Sequence, residues 1–127
     1  MTNPVSEWIS KALNDLSCAK ALAETQGEYF DQVCFLAQQC IEKLLKAYLI
    51  KHKHEVTKTH DLVKLTSDCN KINSCFEKWK DIALTLTIYS VDFRYPGENA
   101  TKEEANESIV IADEFSKFII NEINKEI

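Results

Sequence analysis

Phe30-Asp31-Gln32-Val33-Cys34-Phe35-Leu36-Ala37-Gln38-Gln39-Cys40-Ile41-Glu42-Lys43-Leu44-Leu45-Lys46-Ala47-Tyr48-Leu49-Ile50 is apolar on more than one side. One stripe holds Phe30, Val33, Cys34, Ala37, Ile41, Leu44, Leu45 and Tyr48. A second holds Leu36, Cys40, Ala47 and Ile50. Spacings of three and four residues place each stripe along one face of an α-helix. A helix with two apolar faces needs more than one packing partner. The segment from Tyr29 to His52 is therefore expected to be the central helix, about 36 Å long at a rise of 1.5 Å per residue.

The flanks supply its neighbours. Asn3 can cap a helix running from Pro4 to Glu24, with proline at its first position. Its apolar stripe is Ile9, Ala12, Leu13, Leu16, Ala19 and Ala23, and Gly27 reads as a left-handed stop. Lys53 to Lys58 form a polar connector. Thr59 can cap a short helix that opens with His60-Asp61-Leu62. Ser74-Cys75-Phe76-Glu77 has the form of a capping box, as does Thr101-Lys102-Glu103-Glu104. The helices they open carry Phe76, Trp79, Ala83, Leu86 and Tyr89, then Ala105, Ile109, Ala112, Ile119 and Ile123. Ile111, Phe115 and Phe118 make a further stripe on the last helix. Short loops between amphipathic helices imply an all-α fold: an up-down antiparallel four-helix bundle with an additional short helix. The surplus stripes on the second and fifth helices suggest a homodimer.

Composition agrees. A chain of 127 residues fits a single domain over residues 1–127, and 45% hydrophobic residues argue against disorder. Two glycines and two prolines are too few for a turn-rich β fold. The cysteines Cys18, Cys34, Cys40, Cys69 and Cys75 are odd in number and form no C-x-x-C pair, so no metal site and a reduced, cytoplasmic protein are expected. No signal peptide or membrane span is apparent. The net charge of −5 disfavours a general nucleic-acid coat protein. Charge is uneven, though. Residues 43–64 hold six lysines and all three histidines against two acids, whereas residues 98–127 hold eight acids against three lysines.

Arg94 is the only arginine. It stands in Tyr89-Ser90-Val91-Asp92-Phe93-Arg94-Tyr95-Pro96-Gly97, two residues from a carboxylate and between two aromatics. A planar guanidinium oriented by Asp92 suits phosphate or carboxylate. The competing reading is an Asp92–Arg94 contact that only orders a helix end. Pro96 disfavours helix at Tyr95.

Three segments in order, Val33 to Ala47, Lys58-Thr59-His60-Asp61-Leu62 and Tyr89 to Glu98, resemble the HEPN domain family over nearly the whole chain. The resemblance implies a helical bundle with a dimeric habit. It also implies a nucleotide-related role in a two-component prokaryotic module of toxin-antitoxin type, beside a small nucleotidyltransferase. Some members are metal-independent ribonucleases, in which an arginine is followed four to six residues later by histidine. No histidine follows Arg94 here, and none occurs after His60. The motif that would justify carrying cleavage over is absent, so no catalytic residue and no cofactor are expected.

The expected ligand-binding residues are Arg94, Asp92, Tyr95, Tyr89, His60, Lys43 and Gln39, the ligand being a nucleotide or RNA. Arg94 would hold phosphate, with Tyr95 or Tyr89 adding a ring or hydroxyl. His60 could contact the same phosphate or cap its helix, the second being the preferred reading. Gln39 and Lys43 share a helix face that lines the Arg94 cleft or lies in solvent. Glu42 and Lys46 make an i,i+4 pair worth about 0.3 kcal/mol. Trp8 and Trp79 match the apolar stripes and read as core. A ribonuclease with an atypical site and a purely structural interaction module are the alternatives.

Overall fold

The computed structural model describes residues 3–90 and 96–125, and among them there are helices and no strand. The helices are α1 (Pro4–Ala23), α2 (Phe30–Lys51), α3 (Leu62–Ile72), α4 (Lys80–Tyr89) and α5 (Lys102–Asn124), with a 3-10 helix, Ser74–Trp79, between α3 and α4. No helix among the described residues is long and apolar enough to cross a membrane.

Local chemistry sets the ends. Asn3 accepts a hydrogen bond from the Val5 amide at 2.9 Å, with Pro4 next in line. Thr101 and Glu104 form the reciprocal capping box, at 2.9 and 3.0 Å. α2 ends differently. Lys53 takes a left-handed conformation (φ 56°), and the amides of Lys53 and His54 donate to the carbonyls of Ile50 and Leu49. This is the Schellman pattern built on a residue other than glycine.

Three local expectations change. Gly27 is not left-handed. A Cβ there would lie 2.2 Å from Tyr29 Cε2, so the glycine makes room for the Tyr29 ring. The α1 end is closed instead by the Thr25 hydroxyl, which donates to the Leu22 carbonyl at 2.7 Å. The cap of α3 is Asp61, accepting from the amides of Val63 and Lys64, while the Thr59 hydroxyl accepts from the Asp61 amide and supports it. Ser74 does not open an α-helix. Asn73 captures the Cys75 amide and Glu77 pairs with Lys80, so the chain winds as a 3-10 helix until Lys80.

Side-chain pairings fix the directions. Ala19 of α1 packs with Val33 and Cys34 at the start of α2, so α1 and α2 are antiparallel. Tyr48, late in α2, meets Phe76 at 4.7 Å, whereas Tyr89 reaches the cluster around Val33, so α4 runs back along α2. Cys34 is bonded by Ser108, and Lys51 donates to the carbonyls of Ile123 and Lys125, so α5 is parallel to α2. The result is the expected up-down bundle, with α3 as the additional short helix. α2 is central: Ala37, Cys40, Ile41, Leu44, Leu45, Ala47 and Leu49 are wholly buried. Trp79 stacks on Phe115 at 4.4 Å and Phe118 meets Phe76 edge-on at 5.2 Å.

The surplus stripes are largely consumed within the chain, Ile50 of α2 staying half-buried. Cys40 and Ala47 are buried, as is Phe115 of α5, and Ile111 and Phe118 pack against the core. The reason is the crowding around α2, which touches α1, α3, α4 and α5. The large exposed apolar side chains among the described residues lie elsewhere and include the i,i+4 pair Leu84 and Ile88 of α4.

Candidate functional site

Along α2, three polar side chains stand one turn apart where the helix meets α3 and α4: Gln38, Glu42 and Lys46. Gln38 is 2% exposed and Glu42 4%. Buried polar groups of this kind must be hydrogen-bonded to be tolerated. Gln38 Nε2 donates to the His60 carbonyl at 3.2 Å, and its Oε1 accepts from the Ser90 hydroxyl at 3.0 Å. The amide therefore ties the start of α3 to the end of α4. Glu42 accepts from Lys46 Nζ at 3.1 Å. Its two oxygens also lie 3.0 and 3.1 Å from His60 Nδ1.

His60 is the exposed member of this group. Its side chain is 78% accessible, whereas the Glu42 side chain is 5% accessible and that of Lys46 12%. Because Asp61 caps α3, the His60 ring is not needed at the helix start. A buried carboxylate thus carries an imidazole on the surface by one ring nitrogen. Such a ring can donate to a phosphate when protonated and accept from a hydroxyl when neutral.

The expected site residues are distributed as follows. His60 joins Gln38, Glu42 and Ser90. Asp92, Arg94 and Tyr95 lie outside the described residues, in the segment that follows Ser90. Tyr89 turns toward α5. Its hydroxyl donates to Glu107 at 2.9 Å, and this bond, with some burial, raises the phenol above its ordinary pKa. Lys43 turns toward α1, pairs with Asp15, and lines a cleft of about 370 Å³ with Glu7, Trp8 and Lys11. Gln39 is half-buried on α2. His60 is thus separated from Lys43 and Tyr89. Among the described residues no group of three or more His, Cys, Asp or Glu side chains could hold a metal ion.

Gln38, Glu42 and Ser90 were not expected at a site. The available signal was the spacing of four that joins Gln38, Glu42 and Lys46 along one line of a largely apolar helix, running toward a region rich in histidine.

The fold is similar to that of known proteins. No curated protein matches the chain. The crystal structure of ST0689, an archaeal HEPN homologue, is similar at a TM-score of 0.75 and 26% identity, over 98% of this chain and 100% of that one. The crystal structure of TT1696 from Thermus thermophilus gives a TM-score of 0.79 at 26% identity, over 94% and 98%. The HEPN domain family model matches residues 5–123, nearly the full length of the helical bundle, and the chain belongs to that family.

Proposed function

We infer that this HEPN protein binds a phosphate-bearing ligand, a nucleotide or RNA, at the corner where α2 meets the start of α3 and the end of α4. The observation that carries this reading is the exposed His60 ring anchored on buried Glu42, with Gln38 holding Ser90 alongside. Ser90 leads directly into the segment that contains Asp92, Arg94 and Tyr95. In this reading Arg94 supplies the bidentate fork, Asp92 orients it, and His60 adds a second donor. Lys43, Gln39 and Tyr89 become peripheral. The protein acts in the cytoplasm, in a two-component module beside a small nucleotidyltransferase, and as a homodimer. The exposed Leu84–Ile88 pair on α4 gives a second copy an apolar surface to cover.

Titration with nucleotides tests the ligand. Arg94→Lys keeps charge and loses the fork, so affinity should fall about tenfold, or about 1.4 kcal/mol, while the melting temperature holds. A variant that melts early, from a wild type that binds no nucleotide, would instead make Arg94 structural. Sedimentation should give about twice 14.6 kDa. One observation favours a second reading: a carboxylate-held imidazole is also the arrangement a general base requires. RNA cleavage by wild type in chelator that vanishes in His60→Ala would promote the ribonuclease alternative.

A further inference from the structure

Glu42 is invested in His60 in a way that ligand contact alone does not require. The carboxylate is buried, it receives Lys46 from one side, and both its oxygens face the same imidazole nitrogen. A carboxylate can only accept when ionised, so the nitrogen facing it must carry hydrogen. That choice leaves Nε2 as the second ring nitrogen, on a ring that is 78% accessible. The charged groups at the start of α3 are engaged elsewhere. Asp61 caps α3 through the amides of Val63 and Lys64, and Lys64 pairs with Asp68 at 2.7 Å. From the end of α4, Ser90 gives its hydroxyl to Gln38. Gln38 in turn fixes the His60 backbone through the carbonyl, so the ring is held at both its main chain and its Nδ1.

We propose that Glu42 is a positioning residue: it fixes His60 as the Nδ1–H form, so that Nε2 is the atom offered to the ligand, and a phosphate group binds there with transfer of one proton to Nε2. The second half rests on the phosphate-binding reading above; the first does not. In balance, an O–H bond of a phosphate monoanion, or of hydronium, breaks as the Nε2–H bond forms; the phosphate is left as the dianion, or water is released, and the ring becomes an imidazolium. It then donates through Nε2 to a phosphate oxygen while Nδ1–H stays on Glu42.

Nitrogen NMR of the intact, labelled protein reads both halves. The measurement is made at about pH 8. His60 resonances are assigned from His60→Ala. Without ligand, wild type should show a protonated Nδ1 and an unprotonated Nε2. In Glu42→Gln the amide oxygen can still accept, so the same form should persist. Because Glu42→Leu alone strands Lys46, the informative variant is Glu42→Leu with Lys46→Met, which removes both charges together. There His60 should move to the Nε2–H form or a mixture. A wild type already in the Nε2–H form, or a double variant with unchanged nitrogens, overturns the positioning role. Added inorganic phosphate should then shift Nε2 toward its protonated position in wild type and leave Nδ1 in place, with His54 unchanged as an internal control. Movement of Nδ1 instead would overturn the assignment of Nε2. Failure of phosphate to perturb either nitrogen overturns the phosphate half together with the proposed function, while the ligand-free spectra still decide the role of Glu42.

Discussion

Two buried glutamates divide the polar interior of this bundle. Glu42 lies midway along α2, and Glu122 lies near the end of α5. Both side chains are 5% accessible and each has one lysine partner, Lys46 at 3.1 Å and Lys125 at 2.6 Å. Their remaining partners differ. Glu122 faces Asn73 at 3.4 Å and the Cys75 thiol at 3.5 Å, groups that also shape the turn before the 3-10 helix. Glu42 faces an imidazole that is mostly in water. The same residue type, equally buried, closes the end of α5 in one place and displays a titratable ring in the other. Burial of a carboxylate alone does not distinguish the two; the chemistry of the exposed group it holds, a lysine in one place and an imidazole in the other, does.

The largest expected effect comes from removing each carboxylate. Glu42→Leu leaves Lys46, only 12% exposed, without its counter-charge and should cost about 3 kcal/mol, within the range for breaking a buried pair. Glu122→Leu leaves Lys125, which is 61% exposed and can turn to water, so about 1 kcal/mol is expected. Denaturant titration of both variants measures the difference. Equal losses would mean that the lysines are equivalent and the comparison fails.

The pH response should separate the regions next. Near the Glu122 end, His52 is held below its ordinary pKa by burial and by Lys51, and its buried Nε2 has no hydrogen-bond partner among the described residues. The unfolded chain therefore binds the proton more readily than the folded one. Stability should be full above the ordinary histidine value and fall as pH drops from there toward the folded pKa. At the alkaline side, burial, with nearby Cys75 and Cys69, pushes Tyr48 up to about 12. The unfolded phenol ionises first, so stability should also fall as pH rises from the ordinary tyrosine value toward about 12. Melting curves against pH check both limbs; His52→Phe should flatten the acid one.

Thiol labelling sharpens the picture further. Cys18 is exposed and should react first, and Cys75 more slowly because burial and Glu122 hold its proton. Burial, followed by Asp15, pushes Cys40 up to about 12, and burial raises Cys69 as well, so both should label only on unfolding. The smallest effect is at the end of α2. Lys53→Gly relieves a left-handed backbone and should add about 1 kcal/mol of stability without touching His60.

The fold was more legible than the site because its signals are local. Asn3, Pro4, Thr101 and Glu104 act on amides within three residues, and the apolar stripes of α2 report burial directly. Ser74 misled for a related reason: Asn73, one residue earlier, competes for the same amides and wins. The site depends on contacts between residues far apart in the chain. A step of one residue along a helix turns the side chain by about 100°. That step separates Glu42, which meets His60, from Lys43, which meets Asp15. His60 itself was visible, but its role as cap belongs to Asp61, and its tie to Glu42 spans 18 positions.

The Gln38 amide has a kinetic meaning as well. It grips the His60 carbonyl and the Ser90 hydroxyl at once, so one side chain joins the two ends of the segment 60–90, which carries α3 and α4. Two ends closed by one side chain cannot loosen independently at equal cost. Amide hydrogen exchange should therefore find α3 and α4 opening as a single cooperative unit, and Gln38→Ala should speed exchange at both ends together while α1 and α5 keep their protection.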